Sequence, residues 1–185
     1  GRSFQDARLF PDMTVTDTLA VALERWATSR SALAAALRLP AVFDDEERTK
    51  LRVAELIELM HLGEYRNSFV RELSTGTRRI VDLACIAAHR PLLVLLDEPS
   101  SGLAQREVEA LAPVLMRLRD EMGASLLVIE HDIPLISSIS DRLIALDQGT
   151  VLTAGPPAVV LAHPEVIESY LGNNVAARQR SGTRG

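Results

Sequence analysis

Leu92-Leu93-Val94-Leu95-Leu96-Asp97-Glu98, entered from Pro91, decides how the rest of this chain is read. The five apolar residues are too short a run for a helix. Their unbroken hydrophobicity predicts a strand buried on both faces, as in a parallel sheet. In open parallel sheets ligands gather at the carboxyl ends of strands, and this strand delivers two adjacent carboxylates there. One carboxylate suits Mg²⁺, which takes oxygen ligands and bridges phosphates. The other can orient or deprotonate an attacking water, worth about 10²–10⁴ in rate. The same pair would also open a helix well, since carboxylates favour the positive end of the helix dipole.

Downstream, Val108, Leu111, Leu115, Leu118 and Met122 recur at three- and four-residue steps, with Gly123 beyond them. This predicts a helix, bent near Pro113. A second apolar run, Ser125 to Ile129, ends at Glu130-His131. Strand, helix and strand at this spacing form a right-handed βαβ unit. His131 therefore stands at the same sheet edge as Asp97-Glu98, where it could donate to a terminal phosphate oxygen. A lone histidine there would be read as a strand-end polar group. Two consecutive strands ending in reactive groups favour function. Beyond them, Arg142 to Thr153 reads as two short strands around the turn Asp147-Gln148-Gly149, followed by short helices from Pro156 and Pro164.

Upstream the rhythm is helical. Val53, Leu56, Ile57 and Met60 share one helix face, with an acidic start at Asp44 to Glu47 and a stop expected at Gly63. Ile80, Leu83, Ala84 and Ala87 repeat the spacing after Ser74, and helices are expected over 14–23 and 31–39. Ser74-Thr75-Gly76-Thr77 opens the second of these helices. Free N–H groups and a small hydroxyl there make an anion site, or else an ordinary N-cap.

The 185 residues suffice for one domain, and 47% apolar with 24% charged residues is the ordinary composition of a globular protein. A net charge of −5 argues against a nucleic-acid partner. Cys85, the single cysteine, reads as a core residue. No apolar run approaches the roughly 20 residues that span a bilayer, so a cytoplasmic location is expected.

In order along the chain, Leu73-Ser74-Thr75-Gly76-Thr77, Leu92 to Glu98, Ser100-Ser101-Gly102-Leu103 and His131 resemble the signature, Walker B strand, D-loop and H-loop of ATP-binding cassette (ABC) ATPases. Phe4-Gln5 and the residues to Val15 resemble the Q-loop. That segment, Ile129-Glu130-His131-Asp132 and the closing His163 to Gly172 are similar to cassettes of branched-chain amino-acid transporters.

The resemblance implies an α/β fold: an incomplete P-loop NTPase (RecA-like) core with parallel strands, plus the ABC α-helical subdomain. It places a partial ATP-binding domain over 1–172, with the helical subdomain at about 12–90, the core part at 91–172 and a flexible tail at 173–185. It implies ATP and Mg²⁺ as cofactors. Glu98 would polarise water, Asp97 and Gln5 would hold Mg²⁺, and Gln5 and His131 would sense the γ-phosphate. Ser74, Thr75, Gly76 and Thr77 would contact nucleotide bound by the other subunit of a head-to-tail dimer, whose interface Ser101 and Gly102 would line. A membrane permease would be the second partner, holding the chain at the membrane surface.

Two departures stand beside that resemblance. A P-loop needs Gly-x-x-x-x-Gly-Lys-Ser/Thr, and Lys50, the only lysine among nineteen arginines, has no glycine near it. The opening Gly1-Arg2-Ser3-Phe4 therefore suggests an excised segment or fragment, inactive by itself. The missing loop would also cost the sheet its neighbours, leaving an exposed edge or self-association that covers it. The signature carries Thr75 where the family has a second glycine, and Thr77 where it has Gln or Glu. A non-catalytic interaction module and a soluble cassette ATPase outside transport remain as alternatives.

Overall fold

The computed structural model describes residues 9–24 and 40–172. It consists of two compact units, Gly1–Leu135 and Ile136–Gly185. In the first unit the helix after the first strand packs on the helical zone.

The first unit opens with helix α1, Val15–Leu23. Thr14 and Asp17 cap it reciprocally. The Asp17 N–H donates to Thr14 Oγ1 (3.1 Å) and the Thr14 N–H to Asp17 Oδ2 (3.3 Å). Helix α2 spans Pro40–Leu59, so Asp44 to Glu47 lie in its second turn and do not start it. Its expected face is buried: Val53, Leu56, Ile57 and Met60. The helix stops before Gly63. His61 takes the left-handed conformation (φ 52°), its N–H donates to Glu58 O, and the Leu62 N–H donates to Ile57 O. That is a Schellman end made without glycine, with Leu62 and Ile57 both buried beneath it. Helix α3, Thr75–Ala88, packs against α1 and α2. Its buried side is wider than the spacing predicted, since Val81, Ile86 and Ala88 join Leu83, Ala84 and Ala87 while Ile80 is half-buried. The helix expected over 31–39 and the tail at 173–185 lie outside the described residues.

Strand β1 is Leu93–Asp97, helix α4 is Gln105–Met122 and strand β2 is Ser125–Ile129. The strands pair in parallel, Leu95 opposite Leu127, as the βαβ reading requires. Helix α4 runs through Pro113 and ends on Gly123 (φ 61°). Burial on both faces of β1 is corrected by the structure. Val94 and Leu96 are sealed, whereas Leu93 and Leu95 are 47% and 37% exposed. Alternate residues of a strand point to opposite faces, and the described residues cover only one. Helix α5, Ile133–Ile139, follows, with the Asp132 carboxylate accepting from the Leu135 N–H (2.8 Å).

The second unit holds an antiparallel hairpin, β3 (Leu143–Asp147) and β4 (Thr150–Gly155). Gln148 and Gly149 form its two-residue turn, both with positive φ (46° and 81°), as a primed hairpin turn demands. Helix α6, Pro157–Leu161, and the short helical segments Pro164–Val166 and Ile167–Gly172 complete it. Ala145, Val160 and Val166 form its core. The Tyr170 hydroxyl donates to the Leu146 carbonyl.

Candidate functional site

The chain bends sharply as β1 ends. Glu98 adopts a left-handed backbone (φ 45°), uncommon for a residue with a side chain, while its N–H still donates to Ile129 O of the neighbouring strand (2.9 Å). The ladder thus extends one residue past β1 and fixes Glu98 beside the end of β2. The Ser101 N–H then donates to Glu98 O (3.0 Å), and Gly102 turns the loop at φ 75°. His131 leaves β2 on the same edge, its Nδ1 4.0 Å from Glu98 Oε1. Both side chains are open to solvent, His131 at 69% and Glu98 at 37%. Asp97 is half-buried at the last position of β1. The sheet therefore brings Asp97, Glu98 and His131 to one edge, as the two strand ends predicted.

Ser74-Thr75-Gly76-Thr77 forms a second cluster. Ser74 is the N-cap of α3, its Oγ accepting from the Thr77 N–H (3.1 Å). The anion position is filled from within the chain. Glu107 Oε1 accepts from Ser74 Oγ (2.8 Å) and from the Gly76 N–H (3.1 Å), and Oε2 accepts from the Ala104 N–H (3.1 Å). One carboxylate thus serves the positive ends of both α3 and α4. The N–H of Ala104, the Ser74 hydroxyl and the Gly76 N–H together hold the Glu107 carboxyl below its ordinary range. A Cβ on Gly76 would lie 2.7 Å from Glu107 Oε1, so glycine is required here by space.

Sequence reasoning missed Glu107 and gave Glu130 no role. The signal for Glu107 was its place three residues after Ala104, the capping-box spacing. Glu130 is half-buried with its side chain closed to solvent, and its Oε1 accepts from the Ser100 N–H (3.3 Å) and hydroxyl while Oε2 accepts from the His131 N–H (3.2 Å). Burial pushes its carboxyl above the usual range, opposed by the N–H of His131. Its signal was a charge closing an apolar strand. Cys85, expected in the core, is half-buried on α3, its thiol pushed up to about 12 by burial and by Asp82. Gln5 lies outside the described residues.

Two adjacent carboxylates at a sheet edge fit Mg²⁺ that arrives on phosphates, which needs only one or two protein carboxylates. Among the described residues no cluster of three metal-binding side chains forms a cage of its own. Lys50 is engaged on the surface of α2 by Glu46 (3.4 Å) and Glu47 (3.0 Å), far in character from a phosphate-loop lysine.

Residues 1–101 match the ABC transporter family, and residues 150–176 match the branched-chain amino acid ATP-binding cassette transporter family. The chain belongs to the ABC transporter family. It is 35% identical over 171 residues to the high-affinity branched-chain amino acid transport ATP-binding protein BraF of Pseudomonas aeruginosa, covering 92% of this chain and 67% of BraF. LivG of Escherichia coli, with the same description, is 33% identical over the same shares. Among solved structures, cbiO1 from Clostridium perfringens, part of the ABC transporter complex cbiONQ, superposes with a TM-score of 0.72 at 21% identity. It covers 97% of this chain and 66% of its own. A dimeric ATP-binding cassette in a post-hydrolysis state with ADP and Pi gives 0.64 at 23% identity, over 85% and 62%. These likenesses show the ABC cassette fold, a P-loop NTPase architecture. This ABC family member spans about two thirds of the relatives' length.

Proposed function

We propose that this chain carries the hydrolytic edge of an ABC ATPase that drives solute transport of the branched-chain amino-acid type. The observation that supports it most is the pairing of Glu98 and His131 at the carboxyl ends of two parallel strands, 4.0 Å apart. In this reading Glu98 polarises the attacking water and His131 meets the γ-phosphate. Asp97 and Gln5 hold Mg²⁺, which supplies charge neutralisation on the phosphate oxygens when bound. Ser74 and Gly76 face nucleotide carried by a second cassette in a head-to-tail dimer, with Ser101 and Gly102 at that interface. Glu107 must yield Ser74 and Gly76 for that contact to form, and Thr75 and Thr77 narrow the approach. A membrane permease holds the assembly at the membrane; no helix among the described residues is long and apolar enough to cross one.

The α/β-phosphate cradle is not among these 185 residues, so the chain alone is expected to be inactive. Calorimetry with Mg-ATP on this chain, and on one extended upstream through a phosphate loop, tests this directly. Binding only to the extended chain supports the reading, and Glu98→Gln should then lower its hydrolysis by about 10²–10⁴. Micromolar binding to the short chain would show that its phosphate site lies elsewhere. A second reading, a non-catalytic docking module, is favoured by the engaged Lys50 and by Glu107 filling the signature helix start. Failure of both chains to bind would move it to first place.

A further inference from the structure

We propose that Glu130 is a positioning residue, tying the loop after β1 to His131 so that the two halves of the hydrolytic edge keep one geometry. This rests on the ATPase reading and deepens it. The Glu130 side chain has no solvent exposure, although it sits one residue from the open imidazole of His131. A buried carboxylate is costly unless its oxygens are satisfied. Here three donors converge on it: the N–H and hydroxyl of Ser100 on Oε1, and the N–H of His131 on Oε2. Ser100 follows Glu98 by two residues and is itself 7% exposed, so the carboxylate clamps the first residues of the Ser100–Leu103 loop.

The same oxygen that holds the His131 backbone lies 3.7 Å from its Nδ1. Glu98 also approaches that nitrogen, at 4.0 Å. The imidazole therefore turns its Nδ1 side to two carboxylates, leaving Nε2 to meet a phosphate. Two acceptor oxygens at Glu130 matter as well as shape. An amide in its place has one acceptor and one donor, so it can serve Ser100 or His131 and must oppose an N–H on the other side.

The test uses the complete cassette, with its phosphate loop, in four forms: wild type, Glu130→Gln, His131→Ala and the double variant. Glu130→Gln is expected to lower kcat about 10- to 100-fold, as sub-ångström to ångström misplacement does, with KM for ATP unchanged. In the His131→Ala background its further effect on kcat should be much smaller, because the imidazole it positions is gone while only the tie to Ser100 remains. An equal loss in both backgrounds, or none in either, overturns the proposal. Ser100→Ala removes the hydroxyl donor alone and guards against a variant that does not fold; it should give a smaller kcat loss in the same direction. NMR on the present chain supplies an arm independent of catalysis. Glu130→Gln should shift the His131 and Ser100 amide resonances, and unmoved amides overturn the tie. An inactive wild-type cassette with moved amides would overturn the ATPase reading while supporting the tie.

Discussion

The helices α1–α3 and the strands β1–β2 belong to the same unit, yet they bury their apolar residues to different ends. Leu19, Val81 and Leu83 in the helical region have no exposure at all. Across β1 and β2, Leu127 is 56% and Ile129 62% exposed, on the face they share with Leu93, Leu95 and Asp97. A helix stripe needs one neighbour, and three helices can supply it to each other. A parallel sheet has two apolar faces and needs a layer on each. The helical region is therefore complete within the described residues, while the sheet presents a face, and an edge of β1, that they do not cover.

The largest effect should fall on the complete side. Leu83→Ala removes a sealed side chain from α3 and is expected to lower stability by about 2–5 kcal/mol, read from denaturant midpoints. A loss below 1 kcal/mol would mean that the helical core is looser than its burial indicates. Next comes the junction of α3 and α4. Gly76→Ala sets a Cβ 2.7 Å from Glu107 Oε1 and should cost about 1–3 kcal/mol by overpacking. The cost should shrink in part when Glu107→Ala is added, because Oε1 and Cδ (2.7 and 2.8 Å) are then gone while the Cβ at 2.9 Å stays, and strict additivity would rule out the carboxylate contact. The same carboxylate gives a pH signature. Its folded pKa is depressed, so its stabilisation is present above the ordinary glutamate value and fades as pH falls through the lower folded one. Glu107→Gln should flatten that acid limb.

Most of this architecture was legible because period and punctuation agreed. The face Val53-Leu56-Ile57-Met60, the Ser74 cap, the βαβ unit and the Gln148-Gly149 turn all follow from local spacing. Helix ends were less legible. His61, two residues earlier, takes the left-handed role expected of Gly63, with the next residue, Leu62, drawn into the core, which no propensity encodes. The candidate site divides in the same way. Strand ends placed Glu98 and His131, since topology alone brings them to one edge. Glu107 and Glu130 act through contacts 31 and 30 residues away in sequence, to Gly76 and Ser100, and only the folded chain shows them.

The smallest expected change in stability carries the sharpest information about the uncovered face. Leu127 points outward from β2 opposite Leu95, and replacing it by lysine removes little buried area, so folding should change by no more than about 0.5 kcal/mol. Association should respond far more. An apolar face flanked by an open strand edge invites pairing with another copy, and a charge set on that face opposes it. Light scattering at rising protein concentration should show the wild type self-associating and Leu127→Lys remaining smaller, with weaker binding of an apolar dye. If Leu127→Lys instead loses as much stability as Leu83→Ala, the face is already covered within this chain, and the contrast between helices and sheet disappears. If stability holds and association falls, the sheet is the half of the unit that awaits a further layer.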